Sequence, residues 1–334
     1  GLPLLVGSAK FDLAARGEKH LALRASGIRA PDVFRSFSSV LPHPPPGWEL
    51  DAVCDMQVEA ATLRAKPDEL GFSTVLRFSE GKFNDPSFEI AGEGLRPYLR
   101  VDGEYSIPGG TLVLSGAVKL EQGESLWRDF YISWQKFPVT AAFSGVYDIA
   151  AARMDPIDVR FSSPPLGDIS VQGAFSLRAP FSLSLGARAR VDLGSLQSLF
   201  SLAGKAPGRR ISLKGFMDGR AQILSGTQVF SIRGDLRLNE ASVEDQATMF
   251  FLRDIAAEIP VFIMAGDESH AAGESHTGQG YFRAAAFQAG PFITPQPLSL
   301  ELRGGRNVFH VGPFSLDLFG GRLSFGPASL AFDP

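Results

Sequence analysis

The sequence predicts a mainly β protein, built as an antiparallel sheet with a few short helices. Three observations predict this class. Apolar and polar residues alternate along most of the chain, breaks rich in glycine and proline separate the alternating runs, and one order of helix, break and strands occurs twice. Alternation with a period of two gives each strand one dry face and one wet face, as antiparallel sheets allow.

The alternating runs also indicate which side chains line the dry face. In Leu298–Leu302 the leucines alternate with Ser299 and Glu301, and the other runs follow the same pattern. Turn signals such as Pro108-Gly-Gly lie between the runs. We predict that the functional surface of the sheet is lined by the apolar members of these runs, namely Leu112, Leu114, Phe181, Leu183, Leu185, Leu236, Leu238, Leu298, Leu300, Leu302, Phe314, Leu316, Leu318, Leu323 and Phe325.

Apolar residues at three- and four-residue spacing predict short helices between the strands. Residues 30–41 form one such stretch, with Asp32 near its start as a cap, and residues 192–203 form its counterpart, capped by Asp192. A third short helix is predicted over residues 248–258. These helices are too few to cover the dry faces of so many strands.

An internal duplication organises the chain. Val75–Asp85 resembles Asp235–Asp245 at a constant offset, with Glu80 falling on Glu240. Identities and apolar-for-apolar exchanges occur in phase, and the helix and the break recur before each stretch, which is typical of a repeat. We predict three parts: leading strands of a preceding unit over residues 1–29, a first unit over 30–190 and a second over 191–334.

Composition excludes several classes of protein. The net charge of −4 gives no reason to expect nucleic-acid binding, which needs a basic face, so we expect no nucleic-acid partner. Cys54 is the only cysteine, which excludes a disulfide within the chain and a cysteine-based metal site. No apolar run reaches the ~18 residues that a membrane helix needs. Because the sequence opens at Gly1 and stops just after a strand, we expect it to be a segment of a longer protein.

No motif in the chain predicts catalysis. A phosphate-binding glycine loop, a dinucleotide fingerprint and a nucleophile elbow are all missing from the sequence. The best metal candidate, Asp267–His276, places two histidines among carboxylates, but its polar, glycine-interrupted sequence favours a solvated loop. Asp155 and Asp158 flank Pro156 in a predicted turn. We therefore predict a non-enzymatic protein without a cofactor.

The predicted dry face leaves two kinds of function open. An apolar sheet face must be covered by helices, by a second sheet, by the sheet itself or by a ligand. If the sheet curls closed, it forms a barrel or a sandwich, as in a structural module. If it curls partly, it forms a trough that acyl chains can fill, each buried methylene contributing about 0.8 kcal/mol.

Two motifs carry a resemblance to a known family. The closing stretch Phe314–Phe325 contains Leu-Phe-Gly-Gly-Arg-Leu, and Val191–Phe200 is followed by Leu-Lys-Gly-Phe over residues 213–216. In these motifs the chain, from Pro31 to its end, resembles the AsmA-like superfamily, which includes the TamB- and YdbH-type envelope proteins of Gram-negative bacteria. The resemblance implies a long antiparallel sheet curled into an open groove, a repeating β-groove lined by apolar side chains.

The same resemblance implies a function and a location. A periplasmic segment, anchored to the inner membrane by a part of the protein outside this sequence, would hold or conduct phospholipid acyl chains along the groove between the inner and outer membranes. Its expected partners are phospholipid or another acyl-chain lipid, both membranes through flanking regions, and other envelope proteins. The alternative is a structural or assembly module of the envelope that acts through protein contacts and has a closed apolar core.

Overall fold

A computed structural model describes most of the chain as antiparallel sheet, which confirms the predicted mainly β class. The described residues form 22 strands and one helix. The chain divides into two compact units, Gly1–Pro165 and Leu166–Pro334. The described residues are 7–13, 19–29, 31, 47–63, 66–128, 130–178, 181–201, 211–226, 229–266, 278–290, 296–318 and 321–331. The predicted repeat limits at residues 30 and 191 divide the chain by sequence similarity and not by compactness, and they stay a prediction.

The first unit contains the first half of the strands. They are β1 (Gly7–Leu13), β2 (Lys19–Arg29), β3 (Glu49–Leu63), β4 (Lys66–Asn84), β5 (Ile90–Leu95), β6 (Tyr98–Ser106), β7 (Thr111–Leu120), β8 (Glu124–Trp127), β9 (Phe130–Ser133), β10 (Val139–Asp148) and β11 (Arg153–Ser163). Neighbours pair antiparallel in the order β1-β2-β3-β4-β6-β7-β10-β11. A branch β4-β5-β8-β9 extends from the end of β4.

The second unit contains the remaining strands and the helix. They are β12 (Gly167–Ser176), β13 (Ser182–Asp192), α1 (Leu193–Ser201), β14 (Ile211–Ser225), β15 (Val229–Asp245), β16 (Phe250–Gly266), β17 (Gly278–Ala289), β18 (Gln296–Gly305), β19 (Val308–Val311), β20 (Phe314–Leu318), β21 (Gly321–Phe325) and β22 (Ala328–Ala331). The antiparallel order is β12-β13-β14-β15-β16-β17-β18-β19-β22. Strands β20 and β21 form a separate two-stranded sheet.

The register between strands repeats from one unit to the other. Asp55 lies opposite Arg77 in the β3–β4 pair, and Asp218 lies opposite Arg237 in the β14–β15 pair. Both pairs are then interrupted by a β-bulge at the same point. The backbone at the bulge is left-handed in both units, with φ of 56° at Glu80 and 51° at Glu240. The duplication therefore includes the bulge, which bends a strand and increases its twist.

A second left-handed residue recurs in the next strand and explains why residues 248–258 resemble a helix in the sequence. Gly94 ends the regular part of β5 with φ of 66°, and Asp254 has φ of 50° within β16. The third predicted helix, over residues 248–258, is wrong because this segment is part of β16. An extra residue at Asp254 changes the phase of alternation, so that Leu252 and Ile255 are three apart and imitate helical spacing.

The predicted helix over residues 192–203 is confirmed as α1. The Asp192 carboxylate accepts a hydrogen bond of 2.7 Å from the Ser195 backbone N–H, which is the contact of an N-cap. The Gln197 side chain then bonds the backbone of Ile211 and Leu213, so that the helix is fastened to the start of β14. The first predicted helix, over residues 30–41, lies outside the described residues apart from Pro31.

Few large side chains are buried in this fold. Among the described residues only 11 apolar side chains are buried, and six of these are alanines or Cys54. The large ones are Leu95, Phe137, Ile255, Leu302 and Leu316. One cluster forms around Ile255, with Leu193 of α1 packed against it. The sheets therefore keep most of their apolar side chains at the surface or half-buried.

The predicted turn at Pro156 is also wrong, because Asp155 and Asp158 lie within strand β11. Each carboxylate pairs with an arginine two residues away on the same face of the strand, Asp155 with Arg153 and Asp158 with Arg160. Pro156 has no N–H to donate, and it lies where the register between β10 and β11 shifts. A bulge in the strand thus accommodates the proline that suggested a turn.

Candidate functional site

One side of the second unit is apolar across successive strands, and we call it the apolar face. Directly opposite residues of an antiparallel pair point to the same side of a sheet, so the register identifies its members. Leu185 lies opposite Ile223, which lies opposite Ile232, and that row continues to Ile263. Its members on β13 to β16 are Leu183, Leu185, Ala187, Ala189, Val191, Met217, Gly219, Ala221, Ile223, Ser225, Phe230, Ile232, Gly234, Leu236, Leu238, Ala257, Ile259, Val261, Ile263 and Ala265, of which only Ser225 is polar.

The apolar face continues onto β17 and β18. Ala257 lies opposite Phe282, and Phe282 lies opposite Leu300. Leu298 and Leu302 flank Leu300 on the same side of β18. Almost all of these side chains are half-buried rather than buried, so the face is accessible over most of its extent.

The first unit has an apolar face of the same construction. Its rows run across β4, β6, β7, β10 and β11. One row is Leu76, Leu99, Val118, Ala141 and Phe161, the next is Thr74, Val101, Gly116, Phe143 and Val159, and the third is Phe72, Gly103, Leu114, Gly145 and Ile157. A single hydroxyl, that of Thr74, is the only polar side-chain group in these three rows.

Two glycines in the first unit leave room for aromatic rings over the backbone of a neighbouring strand. A Cβ at Gly103 would overlap the ring of Phe72, and one at Gly116 would overlap the ring of Phe143. Each ring thus covers the backbone of the neighbouring strand, where a side chain would otherwise hold it away. In the three rows described, the resulting surface has no polar side chain except Thr74.

The opposite side of both sheets is polar and carries ion pairs. Arg100 bonds Asp102 at 2.8 Å on β6, and the Arg237 guanidinium bonds Glu258 at 2.9 Å between β15 and β16. The hydrogen bond from Arg100, followed by one from Ser73, lowers the pKa of the Asp102 carboxyl. A depression of about 410 Å³ lies on this polar side of the first unit, between Arg100 and Arg160. Gly116 and Phe143, which belong to a row of the apolar face, also line this depression.

The structure brings most of the predicted lining residues onto the apolar faces. Leu112 and Leu114 lie on that of the first unit. The apolar face of the second unit includes Leu183, Leu185, Leu236, Leu238, Leu298, Leu300 and Leu302. Leu302 is 4% exposed and is covered by protein, so it is the member of this set least accessible to a ligand.

The other predicted lining residues lie elsewhere. Phe181 precedes β13 and is 46% exposed. The remainder belong to the separate β20–β21 pair, where Phe314 stacks on Phe325 at 4.4 Å and Leu316 is buried opposite Leu323. Leu318 belongs to the same pair, and its side chain lies outside the described residues. The resemblance in Phe314–Phe325 therefore maps to this hairpin and not to the large face.

Sequence reasoning missed the small and isoleucine members of the apolar face. Gly219 lies between Ala189 and Leu236, and Ile259 continues the same row onto β16. Small residues carry no hydrophobic signal, and Ile259 lay in the segment after the misread helix. Extending the alternation through the bulge at Asp254 would have found Ile259, Val261 and Ile263.

Within the described residues, neither metal-ligating side chains nor the single cysteine forms a second candidate site. The candidate metal segment Asp267–His276 lies outside the described residues, and the part of the chain that is described brings no three metal-ligating side chains together. Burial, followed by the negative charge of Asp55, raises the pKa of the Cys54 thiol, which is 3% exposed. No helix in the described ranges is long and apolar enough to span a membrane.

Comparisons with known proteins give no relative for this arrangement. No protein-family model matches the chain, no curated protein matches its sequence, and no solved structure matches its fold. The resemblance to the AsmA-like superfamily rests on the motifs of Val191–Phe200 and Phe314–Phe325 alone.

Proposed function

We propose that the chain holds or conducts the acyl chains of a phospholipid, or of a similar lipid, along its apolar faces. The observation that carries this proposal is the row structure: apart from Thr74 and Ser225, side chains directly opposite each other are apolar from strand to strand in each unit, and most remain half-buried. Exposed apolar patches of this extent are rare on soluble proteins unless a ligand or partner covers them.

The chemistry of such a face suits acyl chains better than a ligand with polar groups. Along β13, from Leu183 to Val191, the face extends over roughly 27 Å at the usual rise of a strand. Burial of a methylene contributes about 0.8 kcal/mol, so a hydrocarbon chain gains affinity in proportion to the length in contact. Because one row presents the same apolar chemistry as the next, an acyl chain that shifts by one row loses little binding free energy. This property would allow sliding without a fixed site.

A non-catalytic role and an envelope location belong to the same proposal. A curled sheet would bring the apolar face to the inside of an open groove, with the ion pairs of the polar side towards water. Anchoring to the inner membrane would come from a part of the protein outside this sequence, as in the AsmA-like superfamily that the chain resembles.

Photo-crosslinking from paired positions tests the proposal. A photoreactive residue at Leu300 or Leu185 would lie on the apolar face, and one at Glu301 or Ser184 would lie on the other side of the same strand. Leu316 is a poor position because it is buried in protein. We expect phospholipid adducts from the apolar positions in cells, and none from the matched polar positions.

The same experiment decides the alternative function. A structural or assembly module would give crosslinks to protein from Leu300 and Leu185, because a partner or the chain itself would cover the face. Equal lipid adducts from both sides of a strand would indicate nonspecific detergent-like contact and would contradict the lipid proposal. Native mass spectrometry of the purified chain should find the same phospholipid bound without crosslinking.

A further inference from the structure

Two arginines lie directly opposite each other on the polar side of the second unit. Arg188 of β13 is in register with Arg220 of β14, and both side chains are exposed. Directly opposite side chains in an antiparallel pair lie about 5 Å apart at their Cβ atoms, and like charges at this distance repel. Neither arginine takes part in an ion pair or hydrogen bond within the described residues.

The carboxylates around this pair are directed to other arginines. Asp218 lies 4.0 Å from Arg190, whose guanidinium also stacks over Phe216. Asp235 lies opposite Arg220 in the register, but its carboxylate is 3.3 Å from Arg237. The remaining neighbours of the pair are Ser170 opposite Arg188, Asp168 opposite Arg190, Gln222 beside Arg220 and Arg233 opposite Gln222.

The duplicated first unit lacks this pair at the equivalent place. There Arg24 of β2 lies opposite Gln57 of β3, and Gln57 donates a hydrogen bond of 2.8 Å to Glu59. On the same side of the strand, Asp55, Gln57 and Glu59 correspond to Asp218, Arg220 and Gln222 in the second unit. The second unit thus has Arg220 where the first has Gln57, and Gln222 where the first has Glu59. These two exchanges add two positive charges on β14, and Asp235 in place of Val75 on the neighbouring strand removes one.

We propose that Arg188 and Arg220 together bind a phosphate group, as a free phosphate or as the phosphate of a larger molecule. A guanidinium presents parallel N–H donors that match two oxygens of a carboxylate or a phosphate. A phosphate has three or more oxygens and up to two negative charges, so it can bridge two guanidinium groups and remove their repulsion. Ser170 lies beside Arg188 as a further donor. The site does not depend on the lipid function proposed for the opposite face.

Binding of inorganic phosphate to the full chain tests the site. Titration calorimetry at constant ionic strength should find one saturable site for each chain. Arg220→Gln copies the residue that the first unit has at this position, and we expect it to weaken binding by about ten- to a hundredfold, the usual effect of losing a charge-assisted hydrogen bond. Arg188→Gln should have the same effect. Arg24→Gln removes the corresponding charge of the first unit and should leave the affinity unchanged.

A second probe distinguishes the source of the phosphate. Phosphatidylglycerol vesicles that bind the parent chain but not Arg220→Gln, and more tightly than inorganic phosphate does, would assign the site to a lipid headgroup. Binding of inorganic phosphate through Arg220 with no binding of the vesicles would assign it to a soluble phosphate compound. Circular dichroism confirms that each variant is folded. Equal affinity in the parent chain and Arg220→Gln, or no saturable binding of either probe, would overturn the proposal.

Discussion

Ile255→Ala is expected to destabilise the second unit by about 3–4 kcal/mol. Ile255 is 2% exposed and packs among Ala241, Ala257 and Ala284. Its truncation loses the transfer free energy of the side chain and leaves a cavity. Substitutions of this kind cost about 2–5 kcal/mol, and the higher values occur where neighbours cannot close the space. The three alanines cannot reach into the space, and larger neighbours such as Leu238, Leu252 and Phe282 can close it only in part, which places the expected loss near the middle of that range.

The loss should be confined to one unit, because each unit has its own buried residue at this position of the duplication. Leu95 of the first unit lies opposite Gly81, and Ile255 of the second lies opposite Ala241. Leu95 is 9% exposed and takes no part in the cluster around Ile255. The α1 helix should loosen together with β16, since Leu193 packs against the same cluster.

Hydrogen exchange measured by mass spectrometry is the suitable assay. A chain with two units does not have a single two-state free energy of unfolding, whereas exchange gives an opening free energy for each peptide. In Ile255→Ala, the opening free energy of peptides from β14 to β17 should fall by about 3–4 kcal/mol. In Ile255→Val, it should fall by about 0.5–1.5 kcal/mol. A loss below about 1 kcal/mol in Ile255→Ala would refute the cavity argument. An equal loss in β3 to β6 would refute the separation of the units.

Three further predictions follow from single residues. The buried Cys54 thiol, whose pKa is raised, should resist iodoacetamide in the folded chain and react after unfolding in urea, and rapid labelling of the folded chain would contradict its burial. Glu240→Gly should slightly raise the opening free energy that hydrogen exchange gives for peptides of β15, and Glu240→Val should lower it by about 1–2 kcal/mol, because φ is positive there. Equal opening free energies in the two variants would show that the bulge is relaxed. Hydrogen bonds from Ser87 and from the Ile90 N–H lower the pKa of the Asp85 carboxyl. Asp85 therefore stabilises the turn fully above the unfolded pKa of 3.8, and this stabilisation is lost as pH falls through the folded pKa. In that acid range the Ile90 amide should exchange faster than its intrinsic rate predicts, and Asp85→Asn should abolish this acceleration.

The two sides of the second unit carry separate proposals that can fail independently. The apolar face is proposed to take acyl chains, and the Arg188–Arg220 pair on the other side is proposed to take phosphate. A variant such as Arg220→Gln should leave crosslinking from Leu185 unchanged, because the two residues point to opposite sides of the sheet. A joint loss would indicate that one ligand contacts both sides.

The fold class and most strand positions were predictable because they depend on local alternation. Leu298, Leu300 and Leu302 share a face in the sequence pattern and in β18. The helix capped by Asp192 was predictable for the same reason, since a cap and its first turn are neighbours in the chain. The segment 248–258 was misread because one inserted residue, Asp254, changes a period of two into an apparent helical period.

The sequence by itself determined the mainly β class, the duplication and the absence of a recognisable catalytic motif. Tertiary structure alone decided which residues lie opposite each other: that Leu185 meets Ile223, that Arg188 meets Arg220, and that Leu316 belongs to a separate hairpin. The physical reason is that alternation specifies the two faces of one strand, whereas register joins strands distant in sequence and changes by one residue at every bulge. A surface made of rows across strands therefore becomes visible only when the strands are paired.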